Sequence, residues 1–235
     1  MSVRVVAVLA ALLSAPAFAG IEVPVDVSAG PMGTWFFGPP QQVRGAVPHF
    51  GLLFDVKAIV DHQLIEKNID RVPAQYRGMA QGIKELRISP SIFIPRYLYI
   101  SPKLDAFGGV GMYGITWRPF GLTLFSTGGG SAHGWGQRPP PRVALEAGVL
   151  LTYIFVHSDR VEAPQTHFLR PGVDLEFSVE IFTGERFLVS LGGGGQAYVP
   201  QKMGEFGFGP FDTMMCLAAF AYLKLHYRFP YDVNL

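Results

Sequence analysis

A two-residue alternation of apolar and polar side chains, repeated along most of the chain, is the feature that most constrains its fold. Every second residue from Val173 to Ile181 is apolar, and three of the residues between them are acidic: Asp174, Glu176 and Glu180. A period of two places one set of side chains on each face of a strand, so the two faces meet different surroundings. Residues 183–186, Thr-Gly-Glu-Arg, then lead into a second alternating run, which predicts an antiparallel hairpin.

Alternating segments recur along the chain, and several are long. The run that ends at Phe229 covers about 13 residues, whereas strands of soluble proteins are typically about 5–6 residues and strands that cross a bilayer about 9–11. The segments predicted as strands are His49–Asp61, Arg87–Ile100, Asp105–Trp117, Leu122–Ser126, Arg142–His157, Phe168–Phe182, Arg186–Val199 and Thr213–Phe229. Eight is the smallest closed barrel of the outer-membrane type. We therefore predict an all-β fold, an antiparallel transmembrane β-barrel of about eight strands with one amphipathic helix between early strands.

This strand count conflicts with the usual topology of such barrels. If Thr183–Arg186 is a short periplasmic turn, Arg118–Gly121 becomes an external turn and residues 127–141 a long periplasmic loop, which reverses the expected loop lengths. Either Leu122–Ser126 is not an independent strand, or the alternating segment Ile21–Val27 supplies a missing one.

Composition excludes several classes of protein. Only 16% of the residues are charged, against roughly 25% in soluble domains. The 19 basic and 18 acidic residues give a net charge of +1, which provides no electrostatic basis for nucleic-acid binding. One cysteine excludes a disulfide framework and a thiolate zinc site. No apolar run after the N-terminus is long enough for a membrane-spanning helix.

The N-terminus predicts export. A basic start at Met1–Arg4, an apolar run at Val5–Leu13 and the sequence Ala-Phe-Ala at residues 17–19 form the tripartite pattern of a secretory signal peptide. The predicted organisation is a signal peptide at 1–19, an extended segment at 20–48 and a barrel domain at 49–235 that carries the helix at 71–87. We expect an outer-membrane location, with the periplasm as the alternative.

The predicted helix at 71–87 begins after Asp70, which can cap it. Its apolar residues recur at spacings of three and four: Val72, Tyr76, Met79, Ile83 and Leu86. It could cap one barrel mouth, lie at the lipid headgroups or plug the lumen. The cap is preferred because a helix with few cations binds membranes weakly.

Strand length, low charge and the signal peptide make the chain resemble the small outer-membrane β-barrel proteins of Gram-negative bacteria. The last predicted strand resembles the assembly signal of that class, although residues 230–235 extend beyond the terminal aromatic Phe229. The resemblance implies insertion by the barrel assembly machinery and contact with outer-membrane lipid. It implies no activity. A soluble barrel or β-sandwich that binds a ligand is the alternative, because such folds also alternate.

The polar parity collects the candidate functional residues, which we predict to form a charge network in the lumen: Asp55, Lys57, Arg118, Glu146, Asp174, Glu176, Glu180, Lys224, His226 and Arg228. Carboxylates crowded on one strand repel unless cations face them, and an eight-stranded barrel is barely wide enough for side chains. A lumen filled by salt bridges, in a structural or accessory envelope protein, is therefore expected. A narrow pore for ions or small solutes is the alternative.

Catalytic and metal sites receive little support from the sequence, so no enzyme activity and no cofactor are predicted, with a lipid-modifying barrel enzyme as the alternative. His157, Ser158 and Asp159 are adjacent, but neighbours on a strand point to opposite faces and cannot easily form a nucleophile–base pair. A serine on a neighbouring strand could serve, but the sequence identifies none. The histidines show no metal-ligand spacing.

Overall fold

The computed structural model describes residues 21–37, 48–72, 74–85, 97–109, 112–127, 142–156, 166–184, 186–202, 213–214 and 217–233. The strands are β1 (Ile21–Phe37), β2 (His49–Asp61), β3 (Tyr97–Gly109), β4 (Met112–Thr127), β5 (Val143–Val156), β6 (Thr166–Thr183), β7 (Phe187–Tyr198), β8 (Gln201–Lys202), β9 (Thr213–Met214) and β10 (Leu217–Val233). The helices are α1 (His62–Asn68) and α2 (Ala74–Glu85), with a 3-10 turn at Ile69–Arg71 between them. The predicted signal peptide lies outside the described residues.

Eight of the strands close into an antiparallel barrel in the order β1-β10-β7-β6-β5-β4-β3-β2. The barrel closes where β1 pairs with β10, from Ile21 opposite Val233 to Phe37 opposite Leu217. The two short strands β8 and β9 form a separate two-stranded sheet. The predicted fold class, a closed antiparallel barrel of eight strands, is confirmed.

Three predicted strand assignments are wrong. Asp105–Trp117, predicted as one strand, is divided between the end of β3 and the start of β4. Residues 87–96 of the predicted strand Arg87–Ile100 lie outside the described residues. The barrel starts at β1, so the segment 20–48, predicted to lie outside the barrel, supplies a barrel strand. Leu122–Ser126 is the end of β4 and not a separate strand. Both alternatives raised by the topology conflict therefore hold together, and Arg118–Gly121 lies within a strand.

β-Bulges explain why the alternation of β3 and β4 misled the assignment. The register shifts once on β3 between Ile100 and Lys103, and twice on β4, between Trp117 and Gly121 and between Thr123 and Phe125. An extra residue in one strand exchanges the two faces of every position beyond it. On β4 the buried positions are therefore Met112, Thr116 and Arg118 up to the first shift, Gly121 and Thr123 after it, and Ser126 after the second.

The barrel has two distinguishable ends. The terminus end holds the start of β1, the end of β10 and the β6–β7 hairpin, in which the Gly184 amide donates to the Phe187 carbonyl over 2.8 Å. The helical connection between β2 and β3 leaves from this end as well. The distal end holds the β3–β4 connection and the segment that carries β8 and β9. The predicted hairpin at residues 183–186 is confirmed.

The helical connection lies beside the barrel wall. Leu64 of α1 packs against Val23, as does Ala58, and these two strand residues belong to the outward faces of β1 and β2. The predicted helix corresponds to α2, which is shorter than 71–87 and packs on α1 through a cluster of Ile65, Val72 and Ala80 with Ile69 and Tyr76. These contacts place α1 against the outer wall and α2 on α1. They do not test the position of α2 relative to the mouth, so the cap stays a prediction. Among the described residues, no helix is long and apolar enough to span a membrane.

Candidate functional site

The inward face of the barrel carries ionisable side chains at its terminus half. Nine of the ten residues predicted from the sequence to form a charge network are buried there, and the tenth, Arg228, is half-buried with a side-chain exposure of 15%. Four further inward residues, missed by the sequence prediction, join them: Asp26, Lys103, Asp105 and Arg142. These fourteen residues together form the charge network.

Glu176 is the centre of the charge network. Its Oε2 accepts from Lys103 Nζ at 2.6 Å and lies 3.1 Å from Arg118 Nη1. Its Oε1 accepts from Lys224 Nζ at 3.1 Å and from the Tyr222 hydroxyl. Three cations and one phenol therefore compensate this carboxylate, which is 1% exposed. A charge can be buried at this depth only when it is paired and hydrogen-bonded.

A second group of ion pairs surrounds Glu146. Lys57 Nζ donates to Glu146 Oε2 at 2.6 Å, and Arg142 Nη2 donates to Oε1 at 3.2 Å. The Lys57 pair joins strands β2 and β5 across the barrel. Arg118, which donates to Asp174 at 2.9 Å, lies 4.0 Å from Glu146 and links this group to Glu176. The network is therefore continuous through the terminus half.

The part of the network nearest the terminus end is built around Asp26. Arg228 donates two hydrogen bonds to Asp26 Oδ2, at 2.8 and 3.2 Å, while His226 Nδ1 lies 2.9 Å from Oδ1. Arg228 also donates to Glu180 at 3.3 Å, and the Arg142 amide donates to the same carboxylate at 3.2 Å. Each carboxylate on β6 thus faces a cation.

Small inward residues make room for the long charged and aromatic side chains. A Cβ added at Gly148 would lie 2.3 Å from Cδ of Arg118, and one added at Gly192 would lie 2.4 Å from the Tyr222 hydroxyl oxygen. Both distances are too short for real contacts. Tyr222 therefore fills the space beside Gly192.

The distal half of the lumen is filled by apolar side chains, called the apolar cluster: Met32, Phe36, Leu53, Phe107, Met112, Leu150, Ile154, Phe168, Tyr198, Ala218, Phe220 and Tyr222. Around it, Thr152 Oγ1 lies 3.0 Å from Thr116 Oγ1 and 3.3 Å from the Tyr198 hydroxyl oxygen, and Tyr198 donates to Gln196 at 2.8 Å. Arg170 donates to the Val199 carbonyl. Several polar groups of this half are therefore hydrogen-bonded locally.

The missed residues have identifiable causes. Asp26 belongs to a segment that alternates but was not counted among the strands, and Lys103 falls between two predicted strands because β3 bulges there. Ser190 lies on the inward face of β7, and its partner His226 is on another strand, β10, so no local pattern joins them. The candidate residues His157, Ser158 and Asp159 lie outside the described residues. In the described ranges, no group of three or more His, Cys, Asp or Glu residues could hold a metal ion.

No protein-family model matches the chain, and no curated protein matches it. Among solved structures, it is similar to Neisserial surface protein A (NspA), with 9% identity, a TM-score of 0.43, and coverage of 87% of this chain and 97% of that one. It is also similar to Ail, the attachment invasion locus protein of Yersinia pestis, with 9% identity, a TM-score of 0.40, and coverage of 88% and 99%. The outer membrane enzyme PagL shows 13% identity, a TM-score of 0.38, and coverage of 88% and 99%. The likeness concerns the fold alone, and the closed barrel of this chain is established by its own strand pairing.

Proposed function

We propose that this chain is an outer-membrane β-barrel with a side-chain-filled lumen and a structural or accessory role in the envelope. The observation that carries the proposal is the sidedness of the wall. Large apolar side chains are exposed on the outer face of every barrel strand: Phe37, Phe50, Leu104, Tyr113, Tyr153, Leu169, Phe187 and Leu217. A soluble barrel turns its apolar face inward, whereas a membrane barrel turns it toward lipid.

The filled lumen rests on the two interior regions of the barrel. The charge network joins side chains across the terminus half, and the apolar cluster packs across the distal half. Inward side chains of this size leave a barrel of eight strands without room for a wide channel. The narrow pore remains the alternative that a conductance measurement addresses.

Membrane insertion also defines the proposed partners. Outer-membrane lipid would contact the exposed apolar face, and the barrel assembly machinery would insert the chain, with β10 as the strand that resembles the assembly signal. Closure of the barrel between β1 and β10 makes the last strand the one whose pairing completes the fold. Export by the predicted signal peptide would bring the chain to that machinery.

The first experiment compares the folded protein with and without detergent. The barrel is expected to need detergent or lipid to stay in solution, and to show the heat-dependent electrophoretic mobility of a closed barrel. Leu175→Arg, on the outer face of β6, is expected to lower the free energy of unfolding in vesicles by about 2–4 kcal/mol if it lies at the midplane. His167→Arg, on the same face near the end of β6, is the matched control, with a loss of about 0–1 kcal/mol.

Two results together would contradict the membrane barrel and favour a soluble periplasmic domain. The first is a protein that stays monodisperse without detergent, and the second is a Leu175→Arg variant with an unchanged free energy of unfolding. The pore is tested separately by recording single channels from the reconstituted protein. A closed lumen predicts no steady conductance. Steady conductance that changes in Glu176→Gln or Glu180→Gln would establish the pore instead.

A further inference from the structure

Three inward side chains near the terminus end form a hydrogen-bonded chain of a type that occurs in hydrolases. Ser190 Oγ lies 2.6 Å from His226 Nε2, and His226 Nδ1 lies 2.9 Å from Asp26 Oδ1. The residues come from three adjacent strands, β7, β10 and β1. A nucleophile, a base within hydrogen-bond reach of it, and a third group that orients the base are the geometric signature of an activated serine.

The contact with Asp26 fixes the role of one ring nitrogen of His226. A carboxylate only accepts, so Nδ1 carries a proton and donates to Asp26. In the neutral ring, Nε2 is then the acceptor for the Ser190 proton, the tautomer that a general base requires. The other oxygen of Asp26 is held by Arg228 through two hydrogen bonds. The carboxylate is therefore fixed in position, and it holds the ring of His226 in turn.

The chain of three residues lies near the hairpin edge of the wall on its β7 side, while the β1–β10 pairing continues past His226 to Val233. Pairing between β10 and β7 ends at Tyr227 opposite Phe187, one residue beyond His226, and the β6–β7 hairpin follows immediately. Ser190 is 2% exposed and His226 is 8% exposed. A reactant would therefore enter from the terminus end beside the hairpin, and only a small one could reach Ser190.

We propose that Ser190 is the nucleophile of a hydrolytic site for carboxylic esters with a short acyl group. Ser190 Oγ attacks the acyl carbon, and its proton passes to His226 Nε2. The ester C–O bond then breaks, and the leaving alcohol takes that proton. Water next attacks the acyl group on Ser190, gives a proton to His226 and releases the acid, while the proton returns to Ser190. Asp26 is a positioning residue that acts through His226.

Turnover should be slow and favour activated esters. The three hydrogen bonds of Arg228 run to the carboxylates of Asp26 and Glu180, so this cation is already engaged and does not stand ready to stabilise an oxyanion. Preorganised donors at that position contribute about 100-fold or more in ordinary hydrolases. The reactivity of the serine is therefore a better readout than natural catalysis.

The test treats the whole folded barrel in detergent with phenylmethylsulfonyl fluoride and locates the adduct by mass spectrometry. Ser190 Oγ displaces fluoride from sulfur, so the expected product is one sulfonyl group on Ser190. Ser190→Ala should abolish the adduct, and His226→Gln should slow labelling by about 100-fold, the usual contribution of a general base. Ser28→Ala is the matched control, because Ser28 is also inward and buried and lies opposite His226 in the register; it should label normally.

To test the role of Asp26, the measurement must respond to the orientation of His226 and not to a change in folding. Asp26→Asn should lower the labelling rate at saturating reagent while the half-saturating concentration stays unchanged, and Asp26→Glu should restore part of the rate. All variants are compared only in the folded form, identified by heat-dependent electrophoretic mobility. Release of nitrophenolate from p-nitrophenyl acetate in excess over protein, lost in Ser190→Ala, is expected for hydrolysis.

Three results would overturn the proposal. The first is a folded wild-type barrel that forms no adduct at Ser190. The second is labelling that His226→Gln leaves unchanged, which would show that the three residues only satisfy one another's buried polar atoms. The third is nitrophenolate release that stops at one equivalent or persists in Ser190→Ala.

Discussion

The two halves of the lumen are built from the same eight strands but are filled in opposite ways. The terminus half is filled by pairs of opposite charge, as where Lys103 meets Glu176 at 2.6 Å. The distal half is filled by side chains such as Leu53 and Ile154, which are 1% and 0% exposed. Both kinds of side chain fill the lumen, but ion pairing stabilises the terminus half and apolar packing stabilises the distal half.

Aromatic rings separate the two halves. Lys103 Nζ lies 5.2 Å from the ring centre of Phe220, and Lys224 Nζ lies 4.2 Å from that of Tyr222. Both rings also belong to the apolar cluster, and Tyr222 donates its hydroxyl to Glu176. An aromatic face attracts a cation, so it can stabilise the side of a lysine that points toward the apolar cluster, where there is no carboxylate to pair with it. The rings thus allow a charged layer to lie directly against an apolar one.

The contrast implies different sensitivities to substitution. A charged half depends on complete pairing, because removal of one partner leaves another charge buried without compensation. An apolar half depends on volume, because lost atoms leave a cavity that the surroundings fill only in part. Substitutions that change charge without volume, or volume without charge, can therefore measure what each half contributes to stability.

Glu176→Gln is expected to have the largest effect. It removes the charge that three buried cations face, so the free energy of unfolding should fall by about 3–5 kcal/mol. Denaturant titration of the barrel in lipid vesicles measures the loss. Glu180→Gln is the matched control on the same strand, because Glu180 lies nearer the terminus end and pairs with the half-buried Arg228 at 3.3 Å. An equal loss in both variants would show that Glu176 is not the centre of the network.

Leu53→Ala tests the apolar half. The side chain is 1% exposed within the apolar cluster, so truncation should cost about 2–5 kcal/mol through lost contacts and a residual cavity. Leu52→Ala is the control, because Leu52 is 68% exposed on the outer face and leaves no internal cavity. Unfolding of both variants in vesicles gives the difference. If Leu52→Ala costs as much, the distal half is not closed by tight packing.

The two halves of the lumen differ in how well the sequence predicts them, because each leaves a different pattern of polar and apolar residues in the strands. The charged half was largely predictable, because Asp174, Glu176 and Glu180 stand on one parity of a regular strand. The apolar half was not, since an inward Leu53 interrupts the polar parity of β2 and resembles an outward residue. Alternation reports polarity, and an apolar interior has the same polarity as lipid.

Contacts between strands were the second feature that the sequence could not predict. Ser190 and His226 both face the lumen, but their contact depends on the register of β7 against β10, which no local pattern specifies. Bulges had a similar effect on β3 and β4, because each one exchanges inside and outside at a position without a distinct sequence signal. The short helix α1 was missed for its length, as seven residues give barely two turns of periodicity.

Gly192→Ala tests how tightly the boundary between the halves is packed. The new methyl group would collide with the Tyr222 hydroxyl, because a Cβ at residue 192 would lie 2.4 Å from its oxygen. Overpacking of this kind costs about 1–3 kcal/mol. Gly195→Ala on the same strand is the control, since a Cβ there would lie 3.8 Å from the Ala218 carbonyl oxygen, an ordinary contact distance. A neutral Gly192→Ala variant in vesicle unfolding would mean that Tyr222 can leave its place beside Glu176 without loss.

Thr152→Val is expected to have the smallest effect and tests the hydroxyl groups inside the apolar half. Valine keeps the shape of threonine but removes the hydrogen bonds to Thr116, at 3.0 Å, and to Tyr198, at 3.3 Å. Tyr198 keeps its own bond to Gln196, so the loss falls mainly on Thr116 and should be about 1 kcal/mol in vesicle unfolding. Thr152→Ser, which keeps the hydroxyl, should retain the hydrogen bonds and lose only a methyl group. If Thr152→Val stabilises the barrel instead, the distal half gains more from added apolar volume than from its buried hydroxyls, and the contrast between the two halves becomes sharper.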